Sequence, residues 1–307
     1  RVGVVGRIVE GFDHLSVNPA RIKHMLKLTV DRGIEVDELV EMAEALDAHI
    51  VNEKVKELAA KGTVCRGVSD DDMGKFARLY MALSGLAEEN NYDALAVSCW
   101  TRLQKAYGVA VCAPVAMLNE DGIVTACEAD VDGAVSMIAD SAFHGNETVT
   151  MADLVNLDFD GQSINLWHCG PGAPCLADKN GVRWDNHFDI GTNVSGNWCG
   201  CGVVSDIQFK PGPVTISRLN TRENTLLVFE GVMTEREGYQ GSSGWVSDLQ
   251  MDGEKMGLEE LLSTLFKNSI DHHLILGYGH HEEAWREFAY WMDVELVVKE
   301  RYKNYAI

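Results

Sequence analysis

Histidines are the residues of this 307-residue sequence whose distribution most directly indicates chemistry. Four of the 10 histidines stand in two doublets and another lies in a turn-rich segment: His272-His273, His280-His281 and His168. Imidazole binds metals and carries protons near neutral pH, and carboxylates are its usual companions in both tasks. A lone histidine is also explained by a buried ring with satisfied hydrogen bonds, so the question is whether carboxylates accompany these residues.

Two carboxylates, Glu128 and Asp153, have settings that suit such a role. Each lies at a predicted strand or helix edge beside apolar neighbours, and not within a run of charges. Glu128 follows a strand-like run from Ile123 to Ala126, and strand ends are where α/β folds place their catalytic groups. A structural alternative stays open, in which Asp130 caps the next helix and Glu128 is a first-turn acid favoured by the helix dipole.

The first hundred residues alternate between strand and helix patterns. Val2 to Gly6 is a short apolar run that suits a buried parallel strand, and Asn18-Pro19 gives a helix cap followed by proline. Ser69 and Asp72 form a variant of the capping box ahead of a strongly periodic helix, and Leu95 to Ser98 returns as a strand. This βαβ patterning predicts an open, largely parallel sheet with a ligand at the carboxyl ends of its strands.

The second half of the sequence has a different pattern. After a predicted helix at Val131 to Ala142, three short β-runs occur at Val203 to Phe209, Val214 to Leu219 and Thr225 to Val232. Short strands separated by turns predict an antiparallel barrel or sandwich. We therefore predict an α/β protein with a boundary near residue 122: an open parallel α/β domain at 1–122, then an α+β domain at 123–307 that contains a small antiparallel β-barrel.

Charge and hydropathy exclude two classes of partner. The 26 Lys and Arg residues stand against 47 Asp and Glu residues, a net charge of −21, which argues against binding to a phosphate backbone. The longest apolar runs, such as Tyr107 to Leu118, are far shorter than the ~20 residues that cross a bilayer. We expect neither a nucleic-acid nor a membrane partner.

The eight cysteines, without a secretory signal, are typical of a reducing interior and predict a cytoplasmic location. Cys199-Gly-Cys201 and the pair Cys169 and Cys175 lack the paired knuckle spacing of zinc ribbons and fingers. We interpret these cysteines as buried or loop thiols, with a zinc site as the alternative.

Several motifs, in order, resemble the L-fucose isomerase and L-arabinose isomerase superfamily. The motifs are Glu128-Ala-Asp-Val-Asp-Gly-Ala-Val-Ser-Met137, Ala152-Asp153, Asn165-Leu-Trp-His168, His272-His273, Arg286-Glu-Phe-Ala289 and Asp293-Val-Glu-Leu296. The first motif resembles the fucose branch, and the distance from the histidine doublet to Arg286 resembles the arabinose branch. The similarity covers most of the chain from about Ala94 onward. No single motif is diagnostic, but their order and spacing together are.

By this resemblance, Glu128, Asp153, His168 and His273 match the family's metal ligands. Glu128 and Asp153 would also be the acid/base pair, with Mn²⁺ or another divalent metal as cofactor. Asp153 is an Asp as in the fucose type, whereas His168 matches a ligand of the arabinose type. The Gly279-His-His-Glu-Glu283 segment, with His280 and His281, corresponds to neither branch and stays open as a substrate-side or structural feature.

The resemblance implies a ketol isomerase that interconverts an aldose and a ketose of fucose or arabinose type through a metal-stabilised enediolate. Such a metal polarises the carbonyl while the carboxylates move the proton. The predicted partner is a monosaccharide, and the family implies a homo-oligomer, trimer or hexamer. The alternative is a non-catalytic sugar-binding or regulatory protein on the same scaffold; a metal-dependent hydrolase is disfavoured because no nucleophile elbow is present.

Aromatic residues could line the sugar pocket by stacking on the apolar face of the ring. The substrate-binding candidates are Trp100, Trp167 and His272, and further tryptophans that fit the same pattern, or core packing, are Trp184, Trp198 and Trp245. The sequence begins at Arg1 and enters a strand-like run at once. Together with the resemblance, this leads us to expect that the chain lacks the N-terminal domain of a longer isomerase.

Overall fold

The computed structural model describes residues 1–143, 145–187 and 202–301. The α-helices in these ranges are α1 (Pro19–Leu26), α2 (Val36–Glu44), α3 (Ala48–Ala60), α4 (Asp70–Asn90), α5 (Arg102–Tyr107), α6 (Cys112–Glu120), α7 (Val131–Phe143), α8 (Leu258–Lys267) and α9 (Glu282–Met292). The strands of the first half are β1 (Val2–Val5), β2 (Val30–Ile34), β3 (Thr63–Val64), β4 (Ala94–Val97) and β5 (Val124–Cys127). Those of the second half are β6 (Thr150–Asp158), β7 (Ser163–His168), β8 (Arg183–Asn186), β9 (Val203–Gln208), β10 (Gly212–Asn220), β11 (Thr225–Met233), β12 (Ser242–Met251), β13 (Glu254–Lys255), β14 (His273–Tyr278) and β15 (Glu295–Leu296).

The first half builds the predicted open parallel sheet. Within the described residues its strands lie in the order β2-β1-β4-β5, and each neighbouring pair is parallel. Strands β1 and β4 are short and apolar, and β4 is buried along its whole length because helices cover the sheet, whereas the edge strand β2 contains Asp31 and Arg32. The carboxyl ends of β1, β4 and β5 therefore meet at one edge, from which the segments beginning at Gly6, Ser98 and Glu128 emerge.

The second half contains the predicted antiparallel barrel. In the part of the chain that the structure describes, β11, β10, β14, β6, β7 and β12 pair in that order, and β12 pairs back to β11 to close the ring. Each pairing around this ring is antiparallel. Strands β9, β8 and β3 extend the sheet beyond β12. The predicted fold class is thus confirmed, whereas the domain boundary near residue 122 stays a prediction.

Helix α7 joins the two sheets. It contacts β4 and β5 on the parallel side and β10 and β14 on the barrel side. Its buried residues include polar groups such as Asp132 and Ser136. These side chains accept hydrogen bonds from the backbone N–H groups of Thr221 and Leu219, at the end of barrel strand β10. The beginning of α7 therefore lies at the meeting point of the parallel-sheet edge and the barrel.

Local signals account for the helices that were predicted with caps. Asn18 accepts hydrogen bonds from the backbone N–H groups of Ala20 and Arg21, and Ser69 forms the capping box with Asp72. Asn91 ends α4 in the left-handed conformation with φ 52°. No helix in the described ranges is both long and apolar enough to span a bilayer.

Candidate active site

The candidate site begins with an unusual turn after β5. Glu128 and Ala129 have φ values of 60° and 56°, the left-handed region that non-glycine residues seldom adopt. Such conformations cost about 1–3 kcal/mol each and persist where the surrounding structure holds them. The backbone N–H groups of Ala129 and Asp130 donate to the carbonyls of Val97 and Cys127, which fixes the turn against the strand ends. The turn directs Glu128 towards the barrel and leaves Asp130 at the start of α7.

Strand register brings the other predicted ligands to the same place. His273 is the first residue of β14 and lies opposite Asp153 on β6, and Asp153 in turn lies opposite Trp167 on β7. His168 is the last residue of β7, next to Trp167. Strands β14 and β6 thus present His273 and Asp153 side by side, because opposed residues on paired antiparallel strands lie about 4.5–5.5 Å apart. His168 lies one residue beyond the position opposite Asp153, and its ring stacks on that of His273.

Asp130 is a buried anchor for His273. Its Oδ2 atom lies 2.9 Å from Nδ1 of His273 and 2.5 Å from Nη1 of Arg218. Its Oδ1 atom accepts a hydrogen bond from the backbone N–H of Gly133, so Asp130 also caps α7 as the structural interpretation of this motif predicts. Arg218 is 1% exposed and also pairs with Asp271. This network was not predicted, although the acid at position 130 was visible beside Glu128.

The charges of this network determine which ring nitrogen of His273 carries the proton. Burial alone would raise the pKa of Asp130, but Arg218 and the hydrogen bond from His273 hold that pKa far below its ordinary value. Asp130 is therefore an acceptor, and His273 donates its Nδ1–H to it. Burial lowers the pKa of His273, yet the Asp130 hydrogen bond and the charges of Asp153, Asp130 and Glu128 outweigh it and raise the pKa. In neutral His273 the lone pair is then on Nε2, which faces Glu128 and Asp153.

Glu128 is held on its other side by His272. The Oε2 atom of Glu128 lies 3.2 Å from Nε2 of His272 and 3.4 Å from Nε2 of His273. Burial would raise the pKa of Glu128, but the His272 hydrogen bond and the charges of His273 and His168 lower it below its ordinary value. An ionised Glu128 accepts hydrogen bonds only, so His272 donates its Nε2–H.

His14 completes this arrangement from the first α/β segment. Its Nε2 atom lies 2.8 Å from Nδ1 of His272, and the two rings meet edge to face with centroids 4.9 Å apart. Because His272 donates through Nε2, its Nδ1 accepts, and His14 is the donor. Phe12 packs edge to face on His272, with centroids 5.0 Å apart. Sequence reasoning missed both residues, yet they lie in the loop after β1, at the sheet edge where ligands of α/β folds bind.

Asp153 and His168 lie on the opposite side of His273. The Oδ1 atom of Asp153 is 3.9 Å from Nε2 of His273, and the His168 ring stacks on the His273 ring with centroids 5.4 Å apart. His168 is 2% exposed, and this burial lowers its pKa. Its Nδ1 atom accepts a hydrogen bond from the backbone N–H of Cys169 across 2.9 Å and lies 3.2 Å from the Cys169 Sγ atom. With Nδ1 as the acceptor, the proton of neutral His168 is on Nε2.

The donor atoms that face one another fit a divalent cation. Within the described residues, Asp153 Oδ1, His168 Nε2 and His273 Nε2 are buried and make no hydrogen bond. Buried polar atoms without partners are uncommon and call for a ligand or ion. The separations of 3.4 Å and 3.9 Å around His273 Nε2 lie between the distances of about 3.0 Å and 4.2 Å expected for adjacent and opposite ligands of an octahedral ion. Among the described residues at this site, Glu128, His272 and His273 form the group whose donor atoms all lie within 4.8 Å of one another, and this group contains His272 and not the predicted ligands Asp153 and His168.

The predicted substrate-binding residues border this centre. Trp100 is half-buried and meets Phe12 edge to face, with centroids 5.8 Å apart, so it connects to His272 through Phe12. Trp167 stacks on His168, and its Nε1–H donates to the carbonyl of Gln240. His272 thus contacts Glu128 directly, whereas Trp100 and Trp167 contact residues beside the centre, and their part in substrate binding stays a prediction.

The remaining candidates are elsewhere. His280 lies beyond the far end of β14, where its Nδ1 is 2.7 Å from Oε2 of Glu230, and the backbone N–H of His281 donates to Thr215. Trp184 is fully buried against Phe76, as core packing predicts, and Trp245 is a buried residue that stacks beneath Arg236. Trp198, Cys199 and Cys201 are outside the described residues.

Known proteins with similar sequences include sugar isomerases. No family model matches the chain. It is 26% identical over 305 residues to proteins named sulfoquinovose isomerase from Priestia aryabhattai and Priestia megaterium, which spans 97% of this chain and 64% of each relative. A protein of the same name from Clostridium sp. (strain MSTE9) is 32% identical over 177 residues, 58% of this chain and 39% of that protein. The chain thus spans less than two thirds of the length of these relatives. Their names support a sugar isomerase family and identify neither the fucose nor the arabinose branch.

Proposed function

We propose that the protein is a metal-dependent isomerase that interconverts an aldose and a ketose, with sulfoquinovose as the aldose. One observation carries the reaction class: two carboxylates, Glu128 and Asp153, face the Nε2 atom of a histidine whose other nitrogen is held by Asp130. The similarity to proteins named sulfoquinovose isomerase supports the substrate. For the same reason, a sulfonated hexose is the first sugar to test, ahead of fucose or arabinose.

Glu128, Asp153, His168 and His273 would hold the metal. Two oxygen and two nitrogen donors suit Mn²⁺ or a similar ion better than a thiophilic one. The bound ion would polarise the sugar carbonyl and stabilise negative charge on the neighbouring oxygens. His273 is ready for this role, since Asp130 takes its Nδ1–H and leaves Nε2 free. His168 would join only in its other tautomer, in which Nδ1–H points to the Cys169 Sγ atom 3.2 Å away, the hydrogen bond from the Cys169 backbone N–H is lost, and the Nε2 lone pair is left for the ion.

The carboxylate pair performs the proton transfer. In an aldose-to-ketose conversion, one carboxylate removes the proton from C2, the C1 carbonyl oxygen gains a proton, and an enediol results. The proton then returns to C1, while the C2 hydroxyl loses its proton and becomes the ketone. The pair must therefore include one ionised and one protonated carboxyl group, and the histidines around Glu128 favour its ionised form.

His272 and the aromatic residues would orient the sugar. His272 is 31% exposed and keeps Glu128 in place through its Nε2–H, so it stands at the open side of the centre. Trp100 and Trp167 offer apolar ring faces on either side, and such faces stack on sugars and exclude water. The family resemblance also leads us to propose a trimeric or hexameric assembly, which light scattering of the purified protein would measure.

A sugar panel tests the proposal. The purified chain would be incubated with sulfoquinovose, L-fucose and L-arabinose in the presence of Mn²⁺, and again after treatment with a chelator, and ketose formation followed by NMR. We expect the ketose of sulfoquinovose with Mn²⁺ and none after chelation. Binding of a sugar without conversion by the Mn²⁺-loaded protein would favour the sugar-binding alternative. The absence of both binding and conversion would contradict the proposal outright.

A further inference from the structure

A second cluster of side chains that could bind a metal adjoins the candidate active site at Cys169, the residue after His168. Cys112 is the first residue of α6, Cys169 follows the end of β7, and His187 follows β8. The Sγ atoms of Cys112 and Cys169 are 3.5 Å apart, and each of the three residues places one donor atom within 4.8 Å of the others. The proposed isomerase site includes neither Cys112 nor His187, and Cys169 enters it only as a neighbour of His168.

Burial and origin distinguish this cluster from thiols that meet by chance on a surface. Cys112, Cys169 and His187 are 1%, 7% and 0% exposed, and they come from three elements far apart in the sequence. The backbone N–H of His187 donates to the carbonyl of Gly202, which fixes the chain at this point. Cys112 begins a helix of nine residues, where the N-terminal dipole stabilises a thiolate.

The donor set differs from that of the first centre. Two thiols and one imidazole select Zn²⁺ over Mn²⁺, because soft sulfur ligands favour thiophilic ions. In a tetrahedral site with Zn–S bonds of about 2.3 Å, two sulfur ligands lie about 3.8 Å apart, close to the 3.5 Å separation of the two Sγ atoms. We propose that Cys112, Cys169 and His187 form a Zn²⁺ site, with water as the fourth ligand.

This site would act on the neighbouring centre through His168. The Sγ atom of Cys169 lies 3.2 Å from Nδ1 of His168. A zinc-bound thiolate accepts a hydrogen bond, so zinc would favour the His168 tautomer that carries its proton on Nδ1, in place of the hydrogen bond that Nδ1 accepts from the Cys169 backbone N–H. The Nε2 lone pair of His168 would then face Asp153 and Glu128. Zinc binding itself does not depend on the proposed isomerase activity.

Metal binding to the whole chain tests the site without an activity assay. Protein stripped of metal under reducing conditions would be titrated with Zn²⁺, desalted and analysed for retained metal, and titrated in parallel with Co²⁺. We expect a thiolate-to-Co²⁺ charge-transfer absorption in the near ultraviolet, which an oxygen and nitrogen site cannot give. Cys112→Ser and Cys169→Ser should abolish this absorption and lower retained Zn²⁺ by one equivalent per chain. Glu128→Gln should keep both.

Cys65→Ser and Cys175→Ser are the matched controls, since these cysteines are more exposed and outside the cluster. Both variants should bind Zn²⁺ like the unmodified protein. His187→Gln keeps the two thiols and should weaken Zn²⁺ binding at least tenfold, which gives a readout even where a serine variant fails to fold. A disulfide between Cys112 and Cys169 in the purified protein, or no thiolate absorption with Co²⁺, would overturn the zinc site. Loss of isomerase activity alone would not.

Discussion

His272 and His273 are adjacent in sequence but use opposite ring nitrogens for their carboxylate hydrogen bonds. His272 donates its Nε2–H to Glu128 across 3.2 Å, whereas His273 donates its Nδ1–H to Asp130 across 2.9 Å. His273 therefore keeps a lone pair on Nε2 for a metal, and His272 does not. In the proposed site the doublet therefore divides into one metal ligand, His273, and one residue that positions Glu128, a difference set by the hydrogen-bond partners of the two rings.

Asp130→Asn should weaken metal binding. The introduced side-chain amide would point an N–H group at either His273 or the Gly133 cap, and His273 would lose the acceptor that keeps its proton on Nδ1. We expect Mn²⁺ affinity, measured by calorimetry, to fall by about 10–100-fold. Asp140→Asn, on the same helix, is the control because Asp140 accepts from Trp285. NMR of ring nitrogens in the unmodified protein tests the His273 tautomer directly, and a proton on Nε2 of neutral His273 would contradict the assignment.

His14→Gln should lower catalytic efficiency and leave metal content unchanged. His14 donates to His272, so its loss frees the ring that positions Glu128. One hydrogen bond is worth about 1 kcal/mol, which corresponds to a decrease of roughly five- to tenfold in kcat/KM. His24→Gln on the exposed face of α1 is the matched control. Equal kcat/KM values for the two variants would show that His14 has no part in the site.

Gly241→Ala should destabilise the barrel beside His168. Gly241 has φ 108°, and an added Cβ would lie 2.6 Å from the carbonyl oxygen of His168. We expect a loss of about 1–3 kcal/mol in the free energy of unfolding, measured in urea. Gly74→Ala within α4 meets open space and should instead stabilise by about 0.5–1 kcal/mol. Similar effects of the two substitutions would be inconsistent with the described backbone.

Asp132→Asn should change how stability depends on pH. Burial raises the pKa of Asp132 to about 6, although Arg218 and the hydrogen bonds from Thr221 act in the opposite direction. A raised carboxyl pKa stabilises the fold below its unfolded value, near 3.8, and this contribution is lost as pH rises through about 6.

The asparagine variant should therefore gain stability relative to the unmodified protein as pH rises from about 4 to about 6, by up to about 3 kcal/mol. Urea unfolding at several pH values measures this difference. Asp160→Asn at an exposed turn is the control and should show a smaller change. A constant difference across this range would mean that Asp132 titrates normally.

Much of the fold follows from local sequence signals. The caps at Asn18 and Ser69 and the strands β1 and β4 are specified within a few residues, so periodicity and capping predict them. Strand β12 was missed because Ser242-Ser-Gly-Trp-Val has no continuous apolar run, although this strand closes the barrel by pairing with β7 and β11. Its burial is decided by partners distant in sequence, which a local pattern cannot show.

The residues of the candidate site likewise divide into those that the sequence predicts and those that it does not. Glu128, Asp153, His168 and the His272-His273 doublet were predicted because a resemblance supplied their order; the structure places these residues around the His273 ring, and their roles stay a prediction. Asp130, Arg218 and His14 were not found as site residues. Their roles depend on contacts between β10, α7, β14 and the loop after β1, and hydrogen-bond partners so far apart in the chain have no signature in spacing.

The central claim is that Glu128 takes part in proton transfer at the metal centre, and the direct measurement is incorporation of deuterium from D₂O into sugar C2 and C1. The Mn²⁺-loaded protein would be incubated with sulfoquinovose and followed by NMR, beside Glu128→Gln and the exposed control Glu259→Gln. We predict deuterium incorporation with ketose formation for the unmodified protein and the control, and a decrease of at least about 100-fold for Glu128→Gln. Full isomerase activity in Mn²⁺-bound Glu128→Gln would contradict the account.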